Sequence, residues 1–138
     1  MWTARVFRDL HVGVYRAGSV RVQDDYQEEV DRVERLLCDV DARLAESPYL
    51  VGEQTTDADV WLYCLLVRFD QVYSPAFRLH RYRVRDFPSL HRFTRELYGR
   101  PLFSTTTSFD AISYGYYRGI PFLDRGITPV GPGDLFLR

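Results

Sequence analysis

The chain of 138 residues contains no lysine and no asparagine, and it has only two cysteines and one methionine. All 18 basic residues are therefore arginines, and with 19 acidic residues they give a formal net charge of −1. This balance creates no field that would attract nucleic acid or an anionic membrane. No stretch approaches the ~18 apolar residues needed to cross a bilayer, and the amino-terminal residues lack a signal-peptide pattern. These absences predict a cytoplasmic protein with neither a nucleic-acid nor a membrane partner.

Several kinds of chemical site are missing as well. No glycine-rich phosphate loop follows a strand pattern, and the histidines are too scattered for a metal-ligand spacing; they are His11, His80 and His91. Cys64 lies among leucine and valine in a helical pattern, and Cys38 lies beside Asp39. Neither cysteine has the cationic surroundings that lower a thiol pKa. We therefore expect no metal, no cofactor held by this chain and no nucleophilic cysteine.

Two helices are predicted in the first half of the chain. From Asp24 to Glu46, apolar residues recur at steps of three and four, which places them on one stripe of an amphipathic helix. A second pattern, from about Asp57 to Gln71, is apolar on nearly every face and predicts a buried central helix. Thr56 before it and Asp59 three residues later resemble a capping box, which bonds free N–H groups at a helix start. We expect Thr56 and Asp59 to be structural caps.

The second half of the chain predicts two further helices and irregular connections. Pro88 suits the first position of a helix that Gly99 ends, and a last helix is expected from about Ser104 to Arg118. Residues 74–86 and the tail 119–138 look irregular. Because no strand alternation and no linker occur, residues 1–138 are predicted to form one all-α helical bundle.

Short sequence strings occur in an order that is typical of one protein family. They are Gly-Val-Tyr-Arg-Ala-Gly at 13–18, Tyr-Leu-Val-Gly at 49–52, Thr-Asp-Ala-Asp at 56–59, Leu-Val-Arg-Phe-Asp-Gln-Val-Tyr at 66–73, Arg-Glu-Leu-Tyr at 95–98 and Ile-Thr-Pro-Val-Gly-Pro at 127–132. The string at 56–59 is general to glutathione-transferase helical domains, whereas those at 13–18 and 66–73 are much narrower. Roughly residues 10–134 therefore resemble the C-terminal helical domain of the glutathionyl-hydroquinone reductases, the Xi class of the omega-like glutathione transferases.

This resemblance implies that the chain carries only the helical half of the family's fold. In that family a thioredoxin-like domain supplies the catalytic cysteine, usually in a Cys-Pro-Trp-Ala setting, and this sequence has no Cys-Pro pair. The cysteine thiolate attacks the sulfur of a glutathionyl-hydroquinone and releases hydroquinone, and a second glutathione resolves the mixed disulfide. Glutathione, or another low-molecular-weight thiol, is therefore expected to take part only where a separate thioredoxin-like partner is present. The resemblance also implies a homodimer.

The resemblance places the aromatic-substrate site at three tyrosines, Tyr15, Tyr73 and Tyr116. A phenol both donates and accepts a hydrogen bond, and its ring can stack on a quinoid ring. With an ordinary pKa near ~10 it stays protonated at neutral pH and can bond a developing phenolate oxygen. The alternative for each of the three is a core phenol with a satisfied hydroxyl.

The resemblance also makes Arg16 and Arg68 the basic candidates for substrate binding. Arg68 lies in the central helical pattern, where a buried charge needs a partner. Its position is compatible with two roles: a structural ion pair, for instance with Asp59, or contact with the substrate.

A basic run near the middle of the chain has the composition of a nucleic-acid patch; it consists of Arg78, His80, Arg81, Arg83 and Arg85, with aromatic residues interleaved. Because the whole chain is nearly neutral, we interpret this run as a solvated face.

Three functions are compatible with these features. The preferred one is a substrate-binding helical domain that holds an aromatic or quinoid ligand between Tyr15, Tyr73 and Tyr116. The second is a stand-alone biosynthetic enzyme in which the tyrosines act as acids and hydrogen-bond donors on a polyketide or quinone. The third is a non-catalytic interaction module.

Overall fold

The computed structural model describes residues 1–138, and it contains helices and no strand. Two of the five helices contain a π-helical segment. Helix α1 spans 2–19 and joins Trp2–Ala4, a π-helical segment Arg5–His11 and Val12–Ser19, and α3 spans 57–76 and joins Asp57–Arg68, a π-helical segment Phe69–Tyr73 and Ser74–Ala76. The other helices are α2, Gln23–Glu46, α4, Pro88–Tyr98, and α5, Phe109–Gly119. Single helical turns occupy Val84–Asp86, Pro101–Ser104 and Gly133–Leu137. The all-α prediction is confirmed. None of these helices combines the length and the apolar character that crossing a membrane requires.

Helix α1 packs along α2 and was missed by the patterns considered above. Its buried side chains form one stripe at steps of four, four and three: Val6, Leu10, Val14 and Ala17. This spacing is the signal of an amphipathic helix. Glycine, arginine and aspartate between these positions lower the mean hydropathy of the segment and hide the stripe. Together with residues of α2, α3 and α4, the stripe belongs to one core cluster of 29 buried residues.

The carboxyl end of α1 is fixed against the end of α3. A Cβ on Gly18 would lie 2.6 Å from the ring of Phe77, so only glycine allows the two helices to approach this closely. Arg78 adopts a positive φ of 63°, and its guanidinium donates hydrogen bonds to three carbonyls at the end of α1. These contacts satisfy carbonyls that the helix leaves free and hold α1 beside the π segment of α3.

Much of the basic run 78–85 is engaged in structural contacts. Arg81 forms ion pairs with Asp31 and Glu34 of α2, at N···O distances of 2.7 and 2.6 Å. Arg83 donates to the hydroxyl of Ser74 at the end of α3. These side chains therefore hold the loop after α3 onto the bundle.

The course of α3 differs from the prediction in two ways. The helix continues to Ala76, and Pro75 lies inside its last turn. A proline fits there because its fixed φ is close to the helical value and it lacks only one N–H donor. The helix is also not buried all round: Val60 and Trp61 are 43% and 44% exposed. Part of its apolar surface therefore faces an opening, which the functional site occupies.

The last helix and the tail also differ from the prediction. Helix α5 begins at Phe109 instead of Ser104, because the hydroxyl of Ser108 accepts the N–H of Ala111 and caps the helix there. The tail returns to the bundle, where Phe136 and Leu137 are buried. Gln71 fastens the tail to the bundle.

Gln71 joins three elements through its buried amide. Its Nε2 donates to the hydroxyl of Ser113 on α5 at 2.6 Å, and its Oε1 accepts the N–H of Gly133 in the tail at 2.9 Å. A Cβ on Gly131 would lie 2.5 Å from this amide. The π segment of α3 thereby fixes α5 as well as α1, and these three helices carry the predicted tyrosines.

Candidate functional site

A largely apolar cavity of about 690 Å³ opens between α3, α5 and the turn Pro101–Ser104. Helix α3 contributes one face at helical spacing: Val60, Tyr63, Cys64, Val67 and Arg68. Helix α5 and its cap contribute another: Ser108, Ala111, Ile112, Gly115, Tyr116 and, just beyond the helix, Ile120. Tyr15 closes one end from α1, and Thr106 and Thr107 border the other end. The volume lies in the range of small-molecule sites.

The structure brings the three predicted tyrosines together into one hydrogen-bonded group, called here the tyrosine triad. The hydroxyl of Tyr116 lies 2.7 Å from that of Tyr15 and 2.8 Å from that of Tyr73. The Tyr73 ring packs edge-on to both other rings, with centroid distances of 5.5 Å to Tyr116 and 5.8 Å to Tyr15. Each tyrosine comes from a different helix, so the triad is formed only by the tertiary fold.

The three members of the triad are not equally accessible. Tyr73 is fully buried, whereas Tyr15 and Tyr116 line the cavity. Tyr73 therefore supports Tyr116 from behind and does not itself face a ligand. This position differs from the sequence-based expectation that all three contact the substrate.

The number of hydroxyl hydrogens in the triad determines whether it can donate a hydrogen bond to a ligand in the cavity. Three hydroxyls carry three hydrogens, and the two bonds within the triad use two of them. The hydrogen of Tyr73 is used within the triad, since Tyr73 is enclosed and its hydroxyl lies at hydrogen-bonding distance from that of Tyr116. One hydrogen, on Tyr15 or Tyr116, thus remains free to donate to an oxygen in the cavity.

Burial favours the protonated form of two members of the triad, Tyr15 and Tyr73. It raises the pKa of Tyr15 to about 12, and the hydrogen bond with Tyr116 acts in the same direction. Burial also raises the pKa of Tyr73, again reinforced by Tyr116. Both phenols are therefore neutral hydrogen-bonding groups at physiological pH and are poor proton donors in the acid–base sense.

This shift predicts a pH dependence of stability. The pKa of Tyr15 is about 12 in the folded protein and 10.0 ordinarily, so the unfolded chain loses this proton first as the pH rises. The free energy of unfolding is therefore expected to be unaffected by Tyr15 below pH 10 and to decrease between pH 10 and 12. Urea unfolding at a series of pH values between 10 and 12 measures this decrease in the free energy of unfolding. Tyr15→Phe should show a shallower decrease than the wild type, and identical slopes would contradict the shift.

A neutral histidine packs against the triad. The ring of His11, at the end of the π segment of α1, lies 5.2 Å from the ring of Tyr15 and 6.4 Å from that of Tyr73. Burial lowers the pKa of His11, and the positive charge of Arg68 lowers it further. Both π-helical segments thus carry aromatic residues of this region, His11 from one and Tyr73 from the other, in agreement with the tendency of such segments to occur at functional sites.

Arg68 is the cation of the cavity. Its Nη1 donates to the carbonyl of Cys64 at 2.7 Å, and none of the ion pairs in the protein involves it. The ion pair with Asp59 considered above is not formed, because Asp59 lies more than two turns earlier on α3 and bonds the backbone of its own helix start. The guanidinium of Arg68 is therefore available to a ligand.

Arg16 is not brought to the cavity. It follows Tyr15 directly on α1, and adjacent helix positions point about 100° apart. Its side chain is exposed and does not line the cavity, which differs from its assignment as a substrate-binding residue.

Asp59 and Thr56 together organise the start of α3. The carboxylate of Asp59 accepts hydrogen bonds from the backbone N–H and the hydroxyl of Thr56, each at 2.8 Å, and from the N–H of Leu50 at 2.9 Å. Asp59 is fully buried, so these bonds replace its hydration. The two residues occupy the structural positions expected of caps.

Several cavity residues carry no sequence signal of a binding site. No sequence string marks Tyr63, Thr107 or Gly115 as a site residue, although Tyr63 recurs with Val60 and Val67 on one face of α3. That spacing was interpreted as core packing, and only the position of α5 shows that the face is open. Cys64 was expected to be enclosed, but it is half-buried and lines the cavity.

Cys38 is remote from the cavity and exposed. Partial desolvation raises its pKa, and the carboxylates of Glu34, Asp41 and Asp39 raise it further. These surroundings disfavour the thiolate.

Comparison with known sequences connects this architecture to one family. A sequence profile described as "Glutathione S-transferase, C-terminal domain" matches residues 5–101. The chain is 35% identical over 128 residues to glutathionyl-hydroquinone reductase YqjG of Escherichia coli strain K12, which covers 92% of this chain and 39% of that protein. It is 34% identical over 132 residues to glutathionyl-hydroquinone reductase PcpF of Sphingobium chlorophenolicum, covering 95% and 42%. The chain thus spans about 40% of the length of these curated relatives.

Solved structures of glutathione transferases superpose on this chain. The glutathione-bound structure of the Escherichia coli protein YqjG superposes with a TM-score of 0.89 at 33% identity, covering 99% of this chain and 45% of that chain. A glutathione transferase from Gordonia bronchialis gives a TM-score of 0.91 at 34% identity, covering 99% and 43%. The glutathione transferase Xi from Phanerochaete chrysosporium gives 0.87 at 34% identity, covering 95% and 43%.

Proposed function

Because the chain belongs to the family of glutathione S-transferase C-terminal domains and is related to the glutathionyl-hydroquinone reductases, we propose that it binds an aromatic, hydroquinone-type ligand. The ring lies in the apolar cavity between α3 and α5, with one ring oxygen directed at the tyrosine triad. The observation that carries the proposal is the free triad hydrogen, which Tyr15 or Tyr116 presents to the cavity.

The electrostatics of the cavity suit an oxygen that gains negative charge. When the sulfur-bearing ring carbon of a hydroquinone conjugate is protonated to give the keto tautomer, cleavage of its C–S bond by attack at sulfur moves the electron pair to the ring oxygen as a phenolate. A preorganised donor stabilises that phenolate without reorganisation. Arg68 adds a positive charge on the same wall, and its field already lowers the pKa of His11. The triad and Arg68 thus have complementary roles, one as a hydrogen-bond donor and the other as a counter-charge.

Thiol chemistry is proposed to need a second module. The two curated relatives are named glutathionyl-hydroquinone reductases, and this chain matches about 40% of their length. We propose that a thioredoxin-like domain provides the thiol site and its catalytic cysteine. Glutathione or another low-molecular-weight thiol would enter there, in the reduced environment of the cytoplasm. A homodimer of the helical domain is proposed on the same family relationship.

The raised pKa values of Tyr15 and Tyr73 bear on the alternative of a stand-alone enzyme. A phenol with a pKa of about 12, as in Tyr15, is far from the near-neutral value that general acid catalysis favours. The raised pKa of Tyr15 therefore favours hydrogen-bonding recognition over acid–base turnover by this residue. An interaction module without a ligand would be the conclusion if the cavity bound no aromatic compound.

Calorimetry with matched ligands tests the proposal. Under anaerobic conditions, 1,4-dihydroxynaphthalene is expected to bind about tenfold or more tightly than 1,4-dimethylnaphthalene, which has a similar shape but no oxygen. Fluorescence of Trp61, which lies next to the cavity residue Val60, gives a second readout. Equal affinities would show that the triad does not recognise the ligand, and absence of binding by both compounds would reject the proposal.

A further inference from the structure

The cavity has a second polar group opposite the triad, formed by Tyr63 and Thr107 and called here the far pole. Their hydroxyl oxygens are 2.8 Å apart. Both residues line the cavity. Tyr63 is nearly buried, with 3% of its surface exposed, so its hydroxyl is held in place by the bundle.

The direction of hydrogen bonding at the far pole is fixed. The hydroxyl of Thr107 donates its only hydrogen to the carbonyl of Phe103, at 2.8 Å. It can therefore only accept from Tyr63, so Tyr63 is the donor of the bond between them. The hydroxyl hydrogens of Tyr63 and Thr107 are therefore both used within the protein. The lone pairs of the Tyr63 oxygen remain, so the far pole can accept a hydrogen bond but cannot donate one.

The two polar groups are separated along the length of the cavity. Tyr63 contacts Thr107, and Tyr73, farther along α3, contacts Tyr116, farther along α5. Helices α3 and α5 thus run in the same direction beside each other. From Ser108 at the cap of α5 to Tyr116, the helix rises about 12 Å.

The two ends differ in whether a hydroxyl hydrogen is free. The triad retains one free hydrogen and therefore donates, whereas the far pole has only free lone pairs and therefore accepts. A single quinoid ring is too short to reach both groups, and the cavity volume of about 690 Å³ is larger than such a ring needs.

We propose that Tyr63, held by Thr107, is a specificity-determining residue that recognises a hydroxyl or amine at the end of the ligand remote from the triad. The occupant is then a two-ring or ring-and-arm molecule with an oxygen acceptor at one end and a hydrogen donor at the other. Tyr63 does not recognise a ketone at the remote end, because a ketone has no hydrogen to donate to its oxygen. This inference rests on the proposed aromatic ligand and specifies its length and polarity.

Two rigid ligands that differ by one hydroxyl test the inference: 4,4′-dihydroxybiphenyl and 4-hydroxybiphenyl. Calorimetry on the wild-type chain should give about tenfold tighter binding of the diol, since only the diol bonds both ends. Tyr63→Phe removes the accepting oxygen and keeps the ring. It should reduce the preference to less than about twofold while the affinity for 4-hydroxybiphenyl stays within about twofold of the wild type. That unchanged affinity also shows that the variant is folded.

Tyr114→Phe is the matched control, because Tyr114 is 62% exposed and does not line the cavity. It should retain the tenfold preference. A wild-type chain that binds both biphenyls equally would overturn the role of Tyr63 and leave the proposed function standing. A preference that persists in Tyr63→Phe would overturn it as well. Binding of neither biphenyl, together with no binding of 1,4-dihydroxynaphthalene, would overturn the proposed function and this inference with it.

Discussion

Gly115→Leu is expected to abolish ligand binding without unfolding the protein. Gly115 lies in the middle of α5 and lines the cavity. A Cβ added there would meet no atom within 4 Å, so a larger side chain projects into the space reserved for the ligand. Leucine is also a far better helix former than glycine, by roughly 0.5–1 kcal/mol. We therefore expect at least a hundredfold loss of affinity for 1,4-dihydroxynaphthalene, with an unchanged or raised midpoint of thermal unfolding.

Two comparisons make this prediction specific. Gly115→Ala adds only a methyl group and should cause a smaller loss of affinity. Gly119→Leu places the same side chain one turn later, at an exposed position outside the cavity, and should bind the ligand like the wild type. If Gly115→Leu keeps its affinity, the ligand does not occupy this cavity.

Tyr116→Phe is expected to weaken both stability and binding, because Tyr116 is the centre of the triad. Its hydroxyl is the only partner of the Tyr73 hydroxyl, which has no access to water. An unpaired buried donor costs about 1–3 kcal/mol of the free energy of unfolding. Affinity for 1,4-dihydroxynaphthalene should fall about tenfold, since the ordered donor facing the cavity is disturbed.

The double variant separates this explanation from a general loss of packing. In Tyr73→Phe combined with Tyr116→Phe, no orphaned hydroxyl remains, so the double variant should be more stable than Tyr116→Phe alone. Such non-additivity is expected only for residues in direct contact. Tyr114→Phe, an exposed tyrosine on the same helix, should be neutral in urea unfolding. Additive losses in the double variant would refute the orphaned hydroxyl.

Sequence patterns predicted the parts of this fold whose signal is local. The stripe of α2, the start of α4 at Pro88 and the cap formed by Thr56 and Asp59 depend on neighbours within a few residues, and the structure has them at those positions. Helix α1 was missed because polar residues interrupt its narrow stripe. The buried end of the tail, with Phe136, was missed because its contacts are with distant parts of the chain.

The site was predicted unevenly for a related reason. Tyr15, Tyr73 and Tyr116 were found through family strings, and no local pattern indicates that their hydroxyls meet across as many as 101 residues of sequence. Tyr63 carries no such string and looks like a core residue of α3. Its role depends on the hydroxyl of Thr107, which lies 44 residues away. Hydrogen-bond direction is a property of tertiary structure, so it cannot be read from the chain.

Intermolecular nuclear Overhauser effects test the central claim most directly. Protein with labelled tyrosine rings and bound 1,4-dihydroxynaphthalene should show contacts from the ligand ring protons to Tyr15 and Tyr116, and none to the exposed Tyr114. A bound ligand whose contacts lie elsewhere, with none to Tyr15 or Tyr116, would contradict a hydroquinone-type site at the tyrosine triad.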